Sequence, residues 1–272
     1  MDNRPIGIFD SGCGGLTVLK EYLNLLPNEN YIYFGDTARL PYGSKSKETI
    51  IEFSKQIVNF LISKDVKMII IACGTASACA YDVLKDIYDI PIRSIIIPTA
   101  KSIKDKNIGV IATKGTINSN AWEETIHSFN SECNVISQAC PLFVPLVEEG
   151  FANNEISKLV AKEYLSIFET SEISSLILGC THYPILEKTI RETLKNNITV
   201  VNIGYYSALD TKDYLEKNSL LNLNRALKTV EFYSSDDSNT FIEYSKHFGN
   251  LTTNKVVKVD LSEYYKKSSY IS

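Results

Sequence analysis

The sequence lacks the features that mark membrane proteins and nucleic-acid-binding proteins. Its apolar runs fall short of the roughly 18 residues that a membrane-spanning helix needs, so we expect no membrane partner. The 28 lysines and arginines are outnumbered by 32 aspartates and glutamates and are interspersed with them. Because a nucleic-acid surface normally shows a basic patch or stripe, we expect no nucleic-acid partner.

A secretion signal and the cysteine spacing of a metal site are missing too. The first ten residues hold acidic side chains and lack the apolar core of a signal peptide, which predicts a cytoplasmic protein with reduced cysteines. The six cysteines include no Cys-x-x-Cys pair. Cys180 and His182 are close in sequence, but no second pair completes a set of four ligands, so we expect no metal.

Nucleotide-binding signatures are likewise missing. The first apolar run, at 6–9, leads into the turn Asp-Ser-Gly-Cys-Gly-Gly at 10–15. No Gly-Lys-Ser/Thr follows it, and it does not match Gly-x-Gly-x-x-Gly. The sequence therefore implies no cofactor.

What is present is a pair of similar segments, at 67–78 and 174–184. Each has a short apolar run, then a cysteine (Cys73 or Cys180), then small or hydroxyl residues and a stretch compatible with a helix. Such a run is typical of a buried parallel strand, and ligands bind at the carboxyl ends of such strands. Since a following helix N-terminus favours thiolate, the pattern predicts two reactive thiols, with lowered pKa values, facing one ligand.

The strand pattern restarts partway along the chain. The apolar run at 108–112 repeats the one at 6–9, and both this pair and the two cysteine strands are roughly 100 residues apart, which indicates an internal duplication. We therefore predict an α/β protein with two pseudo-symmetric doubly wound domains facing each other across a cleft. The second domain, residues 98–207, is inserted into the first domain, residues 1–97 plus 208–272. Strands near 229–233 and 255–260 complete the first domain.

Two local predictions concern the second domain. The segment 138–150 contains Pro141 and Pro145, which favour an irregular conformation. The apolar pattern from 117 to 129 predicts one continuous helix.

Two thiols on opposite walls of a cleft suit inversion at an acidic carbon. One thiolate removes the α-proton and the other thiol returns a proton to the opposite face. Asp10 is placed to assist Cys73, His182 to assist Cys180, and Glu148 is a further candidate. Hydroxyl and N–H groups must stabilise the carbanion, and these can come from Ser11, Thr75, Thr181 and the Tyr-Gly-Ser loop at 42–44.

Each of these residues also has a plain structural interpretation. Asp10 can cap a helix, His182 can begin one, and Glu148 can be half of a solvated acidic pair. The other cysteines are interpreted as small buried apolar residues: Cys13, Cys79, Cys133 and Cys140. His127 and His247 are expected on the surface.

Six motifs together resemble the glutamate racemase family. They are Asp-Ser-Gly-x-Gly-Gly at 10–15, Gly-Asp-Thr-Ala-Arg at 35–39, Pro-Tyr-Gly-Ser-Lys-Ser at 41–46, Ala-Cys-x-Thr-Ala-Ser-Ala at 72–78, the run from Ala139 to Gly150, and Leu-Gly-Cys-Thr-His-Tyr-Pro at 178–184. The resemblance covers essentially the whole chain.

The resemblance implies a cofactor-independent isomerase that supplies D-glutamate for peptidoglycan, commonly as a homodimer. It implies Cys73 and Cys180 as the acid/base pair, assisted by Asp10, His182 and Glu148. It also implies that these residues contact an acidic amino-acid substrate: Asp10, Ser11, Tyr42, Gly43, Gly74, Thr75, Thr181 and His182.

The sequence departs from the family pattern in three places. Gly74 stands where the family has Asn, Pro-Thr-Ala at 98–100 replaces a segment like Pro-Gly-Ala, and Asn-Ile-Gly at 202–204 replaces Asp-Ser-Gly. Loss of an amide that bonds a charged substrate costs roughly 1.5–3 kcal/mol. Two alternatives therefore stand beside a glutamate racemase: a racemase of another acidic amino acid such as aspartate, or an impaired paralogue that binds a ligand or partner. A third class is a cysteine-dependent hydrolase or transferase.

Overall fold

The computed structural model describes residues 2–194, 198–224, 228–248 and 255–265. The strands are β1 (Ile6–Asp10), β2 (Tyr31–Gly35), β3 (Met68–Ile71), β4 (Ile92–Ser94), β5 (Asn107–Ala112), β6 (Asn134–Ala139), β7 (Ser175–Leu178), β8 (Thr199–Val201), β9 (Val230–Ser234) and β10 (Val256–Lys258). The α-helices are α1 (Leu16–Leu25), α2 (Lys47–Ser63), α3 (Gly74–Ile87), α4 (Ile96–Ser102), α5 (Lys114–Asn118), α6 (Ala121–Phe129), α7 (Phe143–Glu148), α8 (Glu155–Leu165), α9 (Glu187–Thr193), α10 (Ile203–Lys217) and α11 (Ser238–Ser245).

The strands form two parallel sheets. One has six strands in the order β10-β9-β2-β1-β3-β4, and the other has four in the order β6-β5-β7-β8. We call the first sheet with its helices the first lobe, and the second sheet with its helices the second lobe. The predicted α/β class with two parallel-sheet domains is confirmed.

Helices cover both faces of the first sheet, because its strands are apolar on both sides. Ile8 and Ile70 pack with Leu19 of α1 on one face, whereas Phe9 and Ile71 belong to the separate core on the side of α2 and α3. All four of these strand residues are fully buried. Continuous apolar runs are what such a doubly covered parallel sheet requires.

The duplication is visible in the strand order. The sequence β2-β1-β3-β4 in the first sheet matches β6-β5-β7-β8 in the second. The cysteine strands β3 and β7 take the same place beside β1 and β5. The late strands β9 and β10 extend the first sheet beyond β2, as predicted for the returning tail.

Two local predictions were wrong. The segment 138–150 was expected to be irregular, but it contains α7, with Pro145 as its third residue. Proline is tolerated there because the first N–H groups of a helix have no partner within it. The helix expected over 117–129 is divided into α5 and α6 at Asn120, whose φ of 56° lies in the left-handed region.

The predicted domain limits stay a prediction. The chain passes from β4 of the first sheet through α4 to β5 of the second, and it returns after β8 through α10. The predicted limit at 207/208 falls inside α10, a helix that packs on α1 of the first lobe.

Candidate active site

The carboxyl ends of four strands surround one cavity between the lobes. Ser11 follows β1, Cys73 follows β3, Thr113 follows β5 and Cys180 follows β7, and all four line a cavity of about 690 Å³. Parallel strands that run into one cleft bring their carboxyl ends together, which is where α/β sheets bind ligands. The two cysteines expected to face one ligand do line the same cavity.

Cys73 is a buried thiol at the start of α3. It is 5% exposed and immediately precedes the first residue of the helix. Its Sγ lies 3.6 Å from the hydroxyl of Ser11. Burial, and after it the charge of Asp10, raises the pKa of Cys73 to about 12, outweighing the N–H of Ala76 and the Ser11 hydroxyl, which lower it. The lowered pKa predicted from the helix N-terminus is therefore wrong for Cys73, because desolvation is the larger effect.

Cys180 has a histidine partner that is itself held by a carboxylate. His182 Nδ1 lies 3.9 Å from the Sγ of Cys180, and His182 Nε2 lies 3.1 Å from Oε1 of Glu148. Burial lowers the pKa of His182, but the hydrogen bonds to Cys180 and Glu148 offset this and raise the pKa to about 10. The imidazole is therefore protonated at neutral pH and able to donate towards the thiol.

Asp10 lies beneath the cavity and does not line it. It is fully buried at the end of β1. Its Oδ2 accepts the N–H of Gly12 at 2.9 Å, and its Oδ1 accepts the hydroxyl of Thr181 at 3.3 Å. Burial raises the pKa of Asp10, against the charge of His182 and these hydrogen bonds. The cap of α1 is Gly15, with no side-chain bond, so Asp10 is not a helix cap.

Hydroxyl groups from both lobes meet at one side of the cavity. Thr75, in the first turn of α3, lies with its Oγ1 3.1 Å from that of Thr113 and 3.3 Å from that of Thr116. The Oγ1 atoms of Thr113 and Thr116 are 3.0 Å apart. Thr75, a predicted substrate contact, is thus also a contact between the lobes.

Tyr42 and Gly43 line the cavity from the loop after β2. Tyr42 is 1% exposed, and its hydroxyl donates to the carboxylate of Asp36. Asp36 also accepts from Nε of Arg39 at 2.7 Å and from the hydroxyl of Ser235 at 2.7 Å. Asp36 therefore fixes the loop, a role that sequence reasoning missed.

Other cavity residues were also missed. They are Leu40, Pro41, Lys45, Thr113, Lys114, Gly115, Asn118, Pro141, Val144, Pro145 and Gly179. The signal for Thr113 was available, because it follows β5 just as Asp10 and Ser11 end and follow β1. Phe248, whose ring centre lies 5.0 Å from that of His182, comes from the far end of the chain and left no signal.

The remaining cysteines and histidines have structural surroundings. Cys13, Cys79, Cys133 and Cys140 are buried free thiols, as expected. His247 is exposed, but His127 is half-buried and its Nε2 lies 2.8 Å from the carbonyl oxygen of Cys133. Within the ranges described above, no three His, Cys, Asp or Glu side chains are grouped so as to hold a metal ion. Nor does that part of the chain contain a helix long and apolar enough to cross a membrane.

The arrangement places a thiol on each wall of the cavity, one supported by Ser11 and the other by His182 and Glu148. Such a site can take a proton from one face of a small molecule and return one to the other.

The chain is similar in sequence and fold to known proteins. The model of the Asp/Glu/Hydantoin racemase family matches residues 12–204.

Individual relatives match over almost their whole length. Glutamate racemase of Geobacter metallireducens is 43% identical over 249 residues, covering 90% of this chain and 92% of the relative. Glutamate racemase 2 of Caldanaerobacter subterraneus is 42% identical, with coverage of 97% and 100%. The crystal structure of glutamate racemase from Francisella tularensis in complex with D-glutamate has a TM-score of 0.91 at 43% identity, covering 97% of this chain and all of that one.

Proposed function

Because the chain belongs to the Asp/Glu/Hydantoin racemase family, we propose that it interconverts L-glutamate and D-glutamate with two thiols as acid and base. The observation that carries the proposal is that Cys73 and Cys180, which follow equivalent strands of the two lobes, line one cavity. Relatives named glutamate racemase at 42–43% identity support glutamate as the substrate.

The proposed reaction moves one proton at a time. A thiolate on one wall takes the α-proton, forming an S–H bond as the C–H bond breaks, and the electron pair stays on the α-carbon. The thiol on the other wall then gives its proton to the opposite face and becomes the thiolate. The two walls exchange protonation states in each turnover, so the reverse reaction uses the same residues in exchanged roles.

The assisting groups differ between the walls. His182, charged and hydrogen-bonded to Glu148, is placed to exchange a proton with Cys180. On the other wall the thiol of Cys73 has a raised pKa, and Asp10 lies buried nearby. The ammonium group of an amino acid supplies positive charge, which would lower the pKa of Cys73 when substrate binds. Ser11, Thr75 and Thr181 are the proposed donors to the substrate carboxylates.

Deuterium wash-in tests the proposal. Wild-type protein in D₂O should exchange the α-proton of either glutamate enantiomer and racemise it, as followed by NMR and optical rotation. Cys73→Ala and Cys180→Ala should each abolish racemisation, whereas Cys79→Ala, a buried cysteine that does not line the cavity, should retain it. No exchange with glutamate would contradict the proposal.

The same experiment separates the alternatives. Exchange of aspartate at a greater kcat/KM than glutamate would assign the site to another acidic amino acid. Glutamate binding by calorimetry without exchange would indicate a binding protein. The arrangement of Cys180, His182 and Glu148 also resembles the site of a thiol hydrolase, which needs no second cysteine. Enzymatic activity that survives Cys73→Ala would therefore favour a hydrolase.

We further propose that the protein works as a homodimer in the cytoplasm and supplies D-glutamate for peptidoglycan. The resemblance of its motifs to glutamate racemase supports this proposal. Growth of a D-glutamate auxotroph carrying the gene tests the biological role, and fractionation of the same cells tests the location. Sedimentation equilibrium should give twice the mass of one 30.5 kDa chain.

A further inference from the structure

One short segment of the second lobe lies between two glycines of the first lobe. The segment is Gly179–His182, which includes Cys180. A β-carbon on Gly14 would lie 2.4 Å from Nδ1 of His182 and 2.5 Å from Oγ1 of Thr181. A β-carbon on Gly74 would lie 2.3 Å from the carbonyl oxygen of Gly179. Real β-carbons essentially never come within 3.0 Å of a heavy atom of a residue that is not their neighbour in the chain, so both contacts depend on glycine.

The contact at Gly74 is the less adaptable of the two. The atoms facing it all belong to the main chain: the carbonyl oxygen and carbon of Gly179, then Cα of Cys180. A main-chain carbonyl in a packed strand end cannot turn aside as a flexible side chain can. Moving it from 2.3 Å to the 3.0 Å limit requires α3 and the end of β7 to separate by about 0.7 Å or to tilt apart.

The contact lies next to both thiols. Gly74 directly follows Cys73, and Gly179 directly precedes Cys180. Two further bonds join the lobes nearby, from the hydroxyl of Thr17 to the carbonyl oxygen of Thr181 at 2.9 Å and between the hydroxyls of Thr75 and Thr113. The distance across the cavity is therefore set by main-chain contact beside the two cysteines.

We propose that Gly74 is a positioning residue that sets the distance between the two thiols, by letting the first turn of α3 rest on the carbonyl of Gly179. The inference rests on the proposed two-thiol reaction. Both thiols must reach opposite faces of one carbon, and a misplacement of about 1 Å can cost on the order of 10²-fold in rate. Gly74 acts through the positions of Cys73 and Cys180, without needing to touch the substrate.

This interpretation opposes the one drawn from the sequence, in which Gly74 marks a lost substrate amide. If the amide is what the site lacks, Gly74→Asn restores a hydrogen bond and raises activity. If the main-chain contact is what the site needs, then Gly74→Ala, Gly74→Ser and Gly74→Asn all lower activity.

Steady-state kinetics of this series is the first test. We expect Gly74→Ala to lower kcat by on the order of 10²-fold, with KM changed much less, and Gly74→Asn to do no better. Gly7→Ala is the control, because the atoms nearest its β-carbon would be side-chain ends of Leu61 and Val66, at 3.2 and 3.3 Å. Wild-type kcat in Gly74→Ala, or a gain in Gly74→Asn, would overturn the proposal.

Thiol cross-linking is the second test and needs no turnover. Dibromobimane and a longer bis-maleimide would be applied to each variant, with Cys73–Cys180 products counted by peptide mass spectrometry. Gly74→Ala should shift the products towards the longer reagent while circular dichroism shows a folded protein; an unchanged ratio would contradict the proposal. If wild-type protein does not exchange glutamate, the function fails, yet the cross-linking ratio still reports whether Gly74 sets the distance.

Discussion

His182 is a buried side chain that keeps a positive charge through two partners. It is 3% exposed, yet its hydrogen bonds to Cys180 and Glu148 raise its pKa to about 10, above the ordinary 6.5. A pKa raised on folding contributes stability that is fully present below pH 6.5 and is lost as the pH rises through about 10. The free energy of unfolding should therefore decrease as the pH rises from 6.5 to about 10.

Glu148→Gln tests this chain of contacts. The amide keeps the shape of the carboxylate and loses its charge, so the pKa of His182 should fall. The alkaline loss of both unfolding free energy and kcat should then begin at lower pH than in the wild type, as measured by urea titrations and rate profiles from pH 6 to 10.5. Glu149→Gln is the matched control, because the adjacent Glu149 is exposed and it is Glu148 that pairs with His182. Coincident profiles for wild type and Glu148→Gln would show that the charge does not matter.

For single residues, the sequence predicted which side chains take part in the chemistry better than it predicted the environment of those side chains. Cys73, Cys180, His182 and Glu148 could be chosen because their types and motif positions suit proton transfer, and all four line the cavity. The pKa direction of Cys73 could not be predicted, because desolvation depends on packing from distant segments. The role of Gly74 was equally hidden, since its opposing atom belongs to a residue about a hundred positions away.

Among the elements, a buried ion pair directly before β3 also holds the returning chain. Nζ of Lys67 lies 2.6 Å from Oε2 of Glu29, with both side chains at most 1% exposed. Lys67 also donates to the carbonyl oxygen of Leu220, and Glu29 accepts the N–H of Asn222. The pair thus attaches the segment after α10 to the base of the first sheet.

Lys67→Met should be strongly destabilising, because it leaves Glu29 buried without its opposite charge. Loss of one partner of a buried pair costs about 3–5 kcal/mol, which urea denaturation would measure. Adding Glu29→Gln should recover part of the loss. Lys55→Met, which removes an exposed pair with Glu52, should change stability by less than about 1 kcal/mol. A loss at Lys67 as small as that at Lys55 would contradict the assigned role.

Elements were predictable where one pattern acts alone. The apolar runs of β1, β3, β5 and β7 predicted buried parallel strands, since nothing else competes with such runs. The helix α7 was not predicted, because proline was taken to exclude a helix although proline is tolerated in the first turn.

Asn202, which departs from the family pattern, caps α10 by accepting the N–H groups of Gly204 and Tyr205.

Across the whole molecule, the C-terminal part of the chain reaches back to the active site. Phe248 is fully buried, and its ring meets that of His182 edge to face at 5.0 Å. Because β9 and α11 belong to the first lobe and His182 to the second, this contact joins the two.

Phe248→Leu should keep most of the buried volume while removing the aromatic edge that holds the imidazole. We expect a lower kcat, by a few-fold to tenfold, with a smaller change in KM, and a stability loss of about 1 kcal/mol. Phe129→Leu, at a 49% exposed position, is the control and should change neither. Unchanged kcat in a folded Phe248→Leu protein would restrict Phe248 to packing.

Duplication and return of the tail could be predicted at this scale, because repeated strand patterns are local signals. The contacts between the lobes could not, since they join segments with no shared pattern. Such contacts between the lobes are made by Gly14, Gly74 and Phe248.

The way in which the chain enters and leaves the second lobe bears on its history and its engineering. All six strands of the first sheet lie before α4 or after β8, and α4 and α10 pack side by side. The four-stranded unit is therefore a cassette whose two junctions are neighbours in space. Two crossovers between homologous genes can replace this cassette. One wall of the cleft then changes, while the other wall keeps its sequence.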